Sequence, residues 1–220
     1  MTEILKKIAL CIEQGKTDTE SPFPPQMKGE KGADEWTKCA LEEGVKASDI
    51  LEHALIPAMG VVGERFRNKE IFVPQVLMSA RAMNMALAHL KPYFFSGDIK
   101  RKGTVVIGTV AGDLHDIGKN LVGMMISGAG WDLIDLGVDV KSDRFMETLN
   151  QHPHAILALS ALLTTTMAAM EQTVKKIKAI NPLQKIMIGG APVSQAFCDQ
   201  IGADFYSNGP QGAVEYLTAI

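Results

Sequence analysis

The segment AGDLHDIGKN carries an imidazole, His115, two residues after the carboxylate of Asp113 and directly before that of Asp116. A carboxylate bonded to one ring nitrogen of an imidazole fixes its tautomer and makes the other nitrogen a better metal donor. Gly118 is expected to let the backbone turn tightly into a helix. The spacing therefore predicts either metal ligation by His115 or an ordinary hydrogen-bonded surface pair.

The rest of the chain restricts which metal chemistry is open to this segment. One imidazole cannot hold zinc, which takes about four protein or water ligands. Cys11, Cys39 and Cys198 are scattered and form no CxxC pair, so neither a thiolate zinc site nor a disulfide framework is expected. A dinucleotide-binding fingerprint is absent, which leaves NAD binding with little support. A single imidazole can, however, be the axial ligand of a metal that a macrocycle already holds.

Alternating strands and helices in the second half of the chain determine where this segment lies. Apolar runs predict five strands, at 104–110, 132–136, 155–160, 185–189 and 203–207. Helical patterns follow them, at 117–128, 142–150, 165–179 and 193–201 and at the end of the chain. Near-continuous apolar strands alternating with helices are typical of a parallel sheet covered on both faces. We expect a flavodoxin-like (Rossmann-like) doubly wound α/β domain, whose ligands bind beyond the carboxyl ends of the five parallel strands.

The first half of the chain has the apolar spacing of helices and predicts a small helical bundle. The predicted helices span 2–14, 33–44, 48–67 and 74–92. Pro57 predicts a kink or break in the third helix, and Pro92 predicts the end of the fourth. The Pro- and Gly-rich segment 17–32 predicts a loop that Phe23 and Met27 anchor. The expected division is a helical-bundle domain at 1–95, a linker at 96–102 and a ligand-binding domain at 103–220.

Composition limits the class of protein. With 46% hydrophobic and 21% charged residues among 220, the chain can bury a core, and wholesale disorder is not expected. Both signs of charge are mixed, and the formal net charge is −3, so no surface for nucleic acid or membranes is expected. The start of the chain is too charged for a signal peptide, and no stretch approaches the ~18 apolar residues of a membrane span. A protein of the reducing cytoplasm is therefore expected.

Three short motifs occur in order, each at a predicted strand end: D-x-H-x-x-G at 113–118, S-x-L at 160–162 and GG at 189–190. Together they resemble the cobalamin-binding domains of corrinoid proteins in methyltransferase systems. The segment GERFRNKEIFVPQVLMSARAMNMALAHLKP is similar to the helical cap of the same proteins. This family includes the corrinoid subunits of methanol, methylamine and O-demethylase systems and the cobalamin module of methionine synthase.

The resemblance implies base-off, His-on binding of cobalamin. In the family the cofactor's own benzimidazole leaves the cobalt, and its nucleotide tail is buried in the domain. His115 would then coordinate cobalt from the lower face, and Ser160 would contact the tail. Gly189, Gly190 and Ala191 would let the backbone approach the tail closely, although a glycine pair is also an ordinary turn between strand and helix.

The resemblance also implies a relay behind the ligand. Asp113 would accept the other ring proton of His115. The hydroxyl of Thr166 would extend the chain, although Thr164 and Thr165 are equally near in sequence. Methyl-Co(III) keeps a lower ligand and Co(I) releases it, so the hypothesis is that the His–Asp pair takes up a proton when the ligand leaves.

The cap is implied to shield the methyl-bearing upper face of the cofactor. Phe66 would pack over that face with Val73 nearby, and ordinary bundle core is the alternative for both. The residues expected to bind the cofactor are Phe66, Val73, Asp113, His115, Asp116, Ile117, Gly118, Ser160, Leu162, Thr164, Thr166, Gly189, Gly190 and Ala191, with His115 as the metal ligand.

A methyl carrier is the function that the resemblance implies, since the chain has no room for separate donor and acceptor domains. One methyltransferase would load a methyl group onto Co(I) from a methoxy-aromatic, methanol or a methylamine, with a slight preference for an O-demethylase system. Another would deliver it from methyl-Co(III) to tetrahydrofolate or a thiol, and a reductive activase would be a third partner.

Three alternatives stay open. A cobalamin-dependent sensor or regulator should also carry a DNA-binding module, and no basic patch or helix-turn-helix pattern is evident. The cobalamin domain of a radical mutase usually lacks such a helical cap. A flavodoxin-like module without a corrin is the third alternative, and the colour of the purified protein separates it from the others.

Overall fold

Two compact units make up the computed structural model, which describes residues 2–99 and 101–220. The first unit comprises the chain up to Arg101 together with Gly128–Gly130, and the second comprises Lys102–Ser127 and Trp131–Ile220. Within the described ranges, no helix combines the length and the apolar character that crossing a membrane requires.

The described part of the first unit is helical, as predicted. Its helices are α1 Glu3–Gln14, α2 Ala33–Glu42, α3 Ala47–Ile50, α4 Ile56–Arg67 and α5 Val73–Ser96. Helix α1 packs against α2, α4 and α5. Apolar side chains at helical spacing form the core, and the fully buried ones include Ile8, Ile12, Leu55 and Leu90. This unit is the expected helical bundle.

Two prolines lie in predicted helices, and the interruption expected near Pro57 is present, whereas the one expected at Pro92 is not. Leu51–Leu55 form a π-helical turn between α3 and α4, so Pro57 lies in the first turn of α4, where a missing N–H is tolerated. Pro92 lies inside α5, which continues to Ser96. The predicted end of the helix at Pro92 is therefore wrong. Helix α5 packs against α1, α2 and α4, and tertiary packing of this kind can outweigh the loss of a helical hydrogen bond.

The Pro-rich segment before α2 is held by polar contacts rather than mainly by its apolar residues. Lys16 is fully buried, and its Nζ donates a hydrogen bond of 2.9 Å to the carbonyl oxygen of Ser21. The Glu35 carboxylate accepts hydrogen bonds from the N–H groups of Thr19 and Gly32, at 2.9 and 2.8 Å. The predicted anchors, Phe23 and Met27, are only half-buried. The segment is thus an ordered connection whose charged anchors the apolar pattern did not indicate.

The second unit is a parallel sheet flanked by helices. The strands are β1 Thr104–Thr109, β2 Asp132–Asp135, β3 Ile156–Ser160, β4 Ile186–Gly189 and β5 Phe205–Ser207. They are all parallel and lie in the order β2-β1-β3-β4-β5. The helices are α6 Ile117–Gly128, α7 Ser142–Gln151, α8 Met167–Ile180, α9 Gln195–Ile201 and α10 Pro210–Ala219. The predicted five-stranded doubly wound fold is confirmed.

The register of β1 and β3 determines where the site forms. The strand order reverses at this pair, because β2 lies on one side of β1 and the later strands lie on the other. Thr109 pairs with Ser160, so the two strands end at the same level. The loops that follow β1 and β3 therefore emerge side by side at the edge where such sheets bind ligands.

Candidate functional site

Asp113 is the centre of the candidate site. It lies in the loop after β1, and its side chain is fully buried. The preceding residue, Gly112, has φ +83, a conformation that glycine adopts without steric cost. The Asp113 N–H donates to the carbonyl oxygen of Val110 at 3.0 Å, which closes a tight turn. The carboxylate is therefore brought back against the end of the sheet.

Both oxygens of this carboxylate accept hydrogen bonds. Oδ1 accepts from the backbone N–H of His115 and from its ring Nδ1, each at 3.0 Å. Oδ2 accepts from the Leu162 N–H and from the Thr166 hydroxyl, each at 2.7 Å. One buried carboxylate thus joins the loop after β1 to the loop after β3.

These contacts keep Asp113 ionised. Burial alone would raise the pKa of its carboxyl group. The hydrogen bonds from the Leu162 N–H, the Thr166 hydroxyl and the two His115 groups outweigh burial and hold the pKa well below its usual range. An ionised carboxylate can only accept hydrogen bonds, so Nδ1 of His115 carries a proton.

The other ring nitrogen of His115 is free to act as a ligand. The His115 side chain is 48% exposed although its partner is buried. Among the described residues, no hydrogen bond is made to its Nε2. With the proton on Nδ1, a neutral ring has a lone pair on Nε2, which is the form that binds metals.

Only one of the three candidate hydroxyls reaches Asp113. Thr166 is buried at the start of α8 and makes the 2.7 Å hydrogen bond, whereas Thr164 and Thr165 are exposed. The order of groups is therefore His115, Asp113 and Thr166. Sequence distance could not separate the three threonines, because the loop after β3 presents them in different directions.

Large apolar side chains are exposed in the two loops that Asp113 joins and at the start of α6. Leu114 and Ile117 are 69% and 74% exposed, and Leu162 and Leu163 are 43% and 41% exposed. Ile117 and Leu162 are predicted site residues, whereas Leu114 and Leu163 were missed. The sequence could have indicated Leu114 and Leu163, because both are apolar residues in predicted loops, within or next to the motifs. One nitrogen donor in a loop that also exposes apolar side chains suits a largely apolar ligand that has one coordinating atom.

Gly118 does not have the role that the sequence suggested. It lies in the first turn of α6 and is exposed, and the positive φ angle of this turn occurs at Gly112 instead. A Cβ atom at Gly118 would meet nothing within 4 Å. Neither backbone strain nor packing within the described chain therefore requires glycine there. The neighbouring Asp116 accepts a hydrogen bond of 3.0 Å from Nδ2 of Asn120.

The predicted tail residues lie together at the ends of β3 and β4. Ser160 pairs with Gly189 in the sheet, and Ala191 is exposed beyond them. Gly190 has φ +130, and a Cβ atom there would lie 1.8 Å from the carbonyl oxygen of Ala161. The fold itself thus requires Gly190, and a role of these residues in holding a nucleotide tail stays a prediction.

The two predicted cap residues belong to the first unit. Phe66 lies near the end of α4 and Val73 at the start of α5, and both are half-buried. Phe72, between them, is 62% exposed and was not predicted. The contact of Phe66 and Val73 with a cofactor stays a prediction.

The metal-binding potential of the chain is limited. Within residues 2–99 and 101–220, no group of three or more His, Cys, Asp or Glu side chains could hold a metal ion. His115 nonetheless offers one oriented nitrogen next to an apolar surface. These residues fit a metal that arrives inside its own planar macrocycle, with a single protein ligand.

Comparisons with known proteins agree with this geometry. Residues 103–215 match a family described as B12 binding domain, and residues 29–91 match a second family of the same description. A corrinoid protein of Desulfitobacterium hafniense is 38% identical over 191 residues, which cover 84% of this chain and 88% of the relative. Trimethylamine corrinoid protein 1 of Methanosarcina acetivorans is 39% identical over 185 residues, which cover 82% of this chain and 86% of the relative.

One solved structure extends the comparison to the fold. The methanol:cobalamin methyltransferase complex of Methanosarcina barkeri contains a chain that is 32% identical, with a TM-score of 0.81. The match covers 99% of this chain and 79% of that chain. The likeness therefore includes both the helical first half and the sheet.

Proposed function

The chain belongs to the B12-binding family of corrinoid proteins, and we propose that it is a methyl carrier whose bound cobalamin is ligated from below by Nε2 of His115. The observation that carries this proposal is the orientation of the imidazole by a buried, ionised Asp113, at 3.0 Å from Nδ1. Ligation by the protein in place of the cofactor's own base is the base-off, His-on state.

The chain's part in the chemistry is to hold the lower ligand and a proton. When bound, cobalamin would supply the cobalt centre that accepts and releases the methyl group. With Nε2 as the ligand, Nδ1 would keep its proton and donate a hydrogen bond to Oδ1 of Asp113. The ionised Asp113 would hold the ring in the tautomer that leaves the lone pair of Nε2 available to cobalt. Thr166 keeps the carboxylate in place through its 2.7 Å hydrogen bond.

Other groups would contact the rest of the cofactor. The exposed apolar side chains around His115 would lie against the macrocycle, and Gly118 would leave room for it at the first turn of α6. Ser160, Gly189 and Ala191, at the ends of β3 and β4, would line the path of the nucleotide tail. In the first unit, Phe66 and Val73 would cover the upper face, with the exposed Phe72 beside them.

Methyltransferase proteins on the donor side and on the acceptor side are the proposed partners. The names of the relatives favour a methylamine or methanol as the donor. A methoxy-aromatic donor, the acceptor (tetrahydrofolate or a thiol), a reductive activase and a cytoplasmic location stay predictions.

A substitution of His115 tests the ligand assignment. In His115→Gly, we expect the Co(II) electron paramagnetic resonance spectrum to lose the nitrogen splitting that arises from a protein imidazole. Cobalamin affinity should fall about 10- to 100-fold, the usual range for loss of support at a metal site. Protein grown with nitrogen-15 histidine identifies the source of the splitting, because a triplet becomes a doublet. His154→Ala, at an exposed histidine before β3, is the matched control and should leave the doublet intact. A doublet that survives in His115→Gly would refute the assignment.

The carrier role is tested separately by methyl transfer. The reduced holoprotein is offered methanol, dimethylamine, trimethylamine or a methoxy-aromatic, each with a methyltransferase specific for that donor. We expect methylation of the cofactor, followed through its absorption spectrum, with a methylamine or methanol donor. Failure with every donor, while His115 ligates cobalt normally, would argue against a carrier and leave the ligand assignment standing.

A further inference from the structure

The loop after β2, residues 136–140 and hereafter the β2 loop, contacts the His115 loop from the side opposite β3. The N–H of Asp139 donates to the carbonyl oxygen of Asp113 at 3.0 Å and to Oγ1 of Thr109 at 2.9 Å. Oδ1 of Asp139 accepts the N–H of Gly112 at 2.6 Å. Asp139 therefore contacts the two residues that form the turn just before Leu114 and His115.

The backbone of Asp139 is unusual and explains its residue type. Its φ angle is +53, and it is one of two non-glycine residues in the described chain with a positive φ. Asp and Asn tolerate this conformation better than other residues, because their short polar side chains can form local hydrogen bonds. The side chain is nevertheless exposed and makes a hydrogen bond to another loop rather than to its own. Glycine alone would satisfy the backbone, but it would not provide the acceptor for Gly112.

A second connection reaches the other side of His115. The Lys119 side chain is only 2% exposed, and its Nζ donates to Oδ2 of Asp135, the last residue of β2. Lys119 also donates to Oδ1 of Asn120 at 2.7 Å, and Nδ2 of Asn120 donates to Oδ2 of Asp116 at 3.0 Å. A buried ammonium group requires such partners, so this chain of contacts should resist displacement.

Two fixed points thus enclose a short exposed stretch. Gly112 and Asp113 are held by Asp139, and Asp116 is held through Lys119 by Asp135. Only Leu114 and His115 lie between these points, and their side chains are 69% and 48% exposed. Asp113 sets the rotation of the imidazole ring, whereas the β2 side sets the position of the backbone that carries it.

We propose that Asp139, together with the Lys119–Asp135 pair, is a positioning residue that fixes the His115 backbone for cobalt ligation. This inference rests on the proposed function, because it takes His115 as the ligand. It extends the site to β2 and its loop, which supply none of the residues expected from the motifs. Without these contacts, cobalamin would bind less tightly even though His115 itself is unchanged.

Three variants of Asp139 separate its side-chain contact from its backbone conformation. Asp139→Gly keeps the positive φ angle and removes the side-chain oxygen that accepts the Gly112 N–H. Asp139→Asn keeps the positive φ angle and also keeps an acceptor oxygen. Asp139→Ala removes the acceptor and strains the backbone. Each variant is reconstituted with cobalamin, and its dissociation constant and melting temperature are measured. The nitrogen-15 histidine doublet of the Co(II) form is then recorded below the melting temperature.

We expect Asp139→Gly to be folded, to bind cobalamin about 10-fold more weakly and to show a smaller fraction of the histidine doublet. Asp139→Asn should bind within about 2-fold of the wild type, and Asp139→Ala should be the weakest of the three. Lys119→Met combined with Asp135→Leu replaces the buried ammonium group and its partly exposed partner by apolar groups and should also reduce the doublet in a folded protein. Asp204→Asn, at the opposite edge of the sheet, is the control for a purely structural loss. It should lower the melting temperature and leave the doublet unchanged.

An Asp139→Gly protein with wild-type affinity and a full doublet would overturn this proposal and leave His115 as the ligand. A wild-type protein that shows no histidine doublet would overturn the proposed function and this inference with it. A lowered melting temperature without any change in the doublet would reduce Asp139 to a structural role and would also overturn the proposal.

Discussion

Two carboxylates with lowered pKa values lie at opposite edges of the sheet in the second unit. Asp113 follows β1 at the carboxyl edge, and Asp204 precedes β5 at the amino edge. Each accepts a hydrogen bond from a backbone N–H of a neighbouring segment. Asp113 accepts from Leu162, in the loop after β3, at 2.7 Å, and Asp204 accepts from Ile186, at the start of β4, at 2.9 Å. Burial would raise the pKa of both, and hydrogen bonds overcome it in both. The two edges therefore share a carboxylate whose pKa is lowered by hydrogen bonds.

The charged partners of the two carboxylates differ. Asp204 has lysines beside it, with Nζ of Lys178 at 2.7 Å and Nζ of Lys185 at 3.5 Å, and its side chain is 21% exposed. Asp113 is fully buried, and His115 is its ionisable partner. A lysine remains a cation at neutral pH, whereas an imidazole can gain or lose a proton in that range. The amino edge therefore pairs its carboxylate with ammonium groups, whereas the carboxyl edge uses its carboxylate to orient an imidazole.

The largest expected difference between the two edges is the loss of free energy of unfolding when each carboxylate is replaced by alanine. Asp113→Ala leaves several buried donors without an acceptor, so its free energy of unfolding should fall by about 3 kcal/mol. Asp204→Ala disrupts a partly exposed ion pair, so its loss should be about 1 kcal/mol. Urea denaturation of the cobalamin-free proteins measures both. Equal losses would mean that the two carboxylates are energetically alike despite their different partners.

The pH dependence of the amino edge gives a second test. The folded pKa of Asp204 lies below its unfolded value of about 3.9, so its stabilisation is present above that pH and is lost as the pH falls through the folded pKa. At pH 7 the free energy of unfolding of the wild type should be about 1 kcal/mol larger than that of Asp204→Asn, because the variant lacks a charge-assisted hydrogen bond. This difference should stay constant between pH 5 and pH 8, because the Asp204 carboxyl group is ionised there in both the folded and the unfolded chain, and should shrink below pH 4. A difference that varies around neutral pH would show that another group titrates at this edge. Thermal unfolding over a pH series measures it.

The smallest expected change tests whether Gly118 serves a ligand rather than the fold. Gly118→Ala should stabilise the cobalamin-free protein by about 0.5 kcal/mol, because alanine favours helix and the Cβ atom meets no other atom. The same methyl group should weaken cobalamin binding by about 10-fold, since overpacking a filled contact costs about 1–3 kcal/mol.

Gly60→Ala, inside α4, is the matched control for this substitution. A Cβ atom there also meets nothing within 4 Å, so stability should rise while cobalamin affinity stays the same. If Gly118→Ala binds cobalamin as tightly as Gly60→Ala does, the macrocycle does not lie against the first turn of α6.

Much of this fold could be predicted from the pattern of apolar residues. Buried parallel strands are almost continuously apolar, so runs such as Val105–Ile107 mark them without ambiguity. The parallel arrangement then brings the ends of neighbouring strands together. The contact of Asp113 with the loop after β3 follows from that rule, and the identity of Thr166 does not, because three adjacent threonines have the same chemistry.

The missed features depend on competition between local and tertiary forces. Pro92 removes one helical hydrogen bond, but the packing of a long helix outweighs that loss. Asp139 was missed although the rule that ligands bind at carboxyl strand ends applies to β2 as well as to β1 and β3. The sequence does contain a signal, since Asp135 and Asp139 are the first and last residues of DLGVD, directly at the end of the predicted second strand.

The level ending of β1 and β3 has a practical consequence for any preparation of this protein. A slip of one residue between the two strands would turn every side chain of one strand to the opposite face. The Leu162 N–H and the Thr166 hydroxyl would then no longer meet Asp113, although a sheet of the same length could still form. If His115 ligates cobalt as proposed, the fraction of molecules that show the nitrogen-15 histidine doublet would therefore also report the fraction of correctly paired chains.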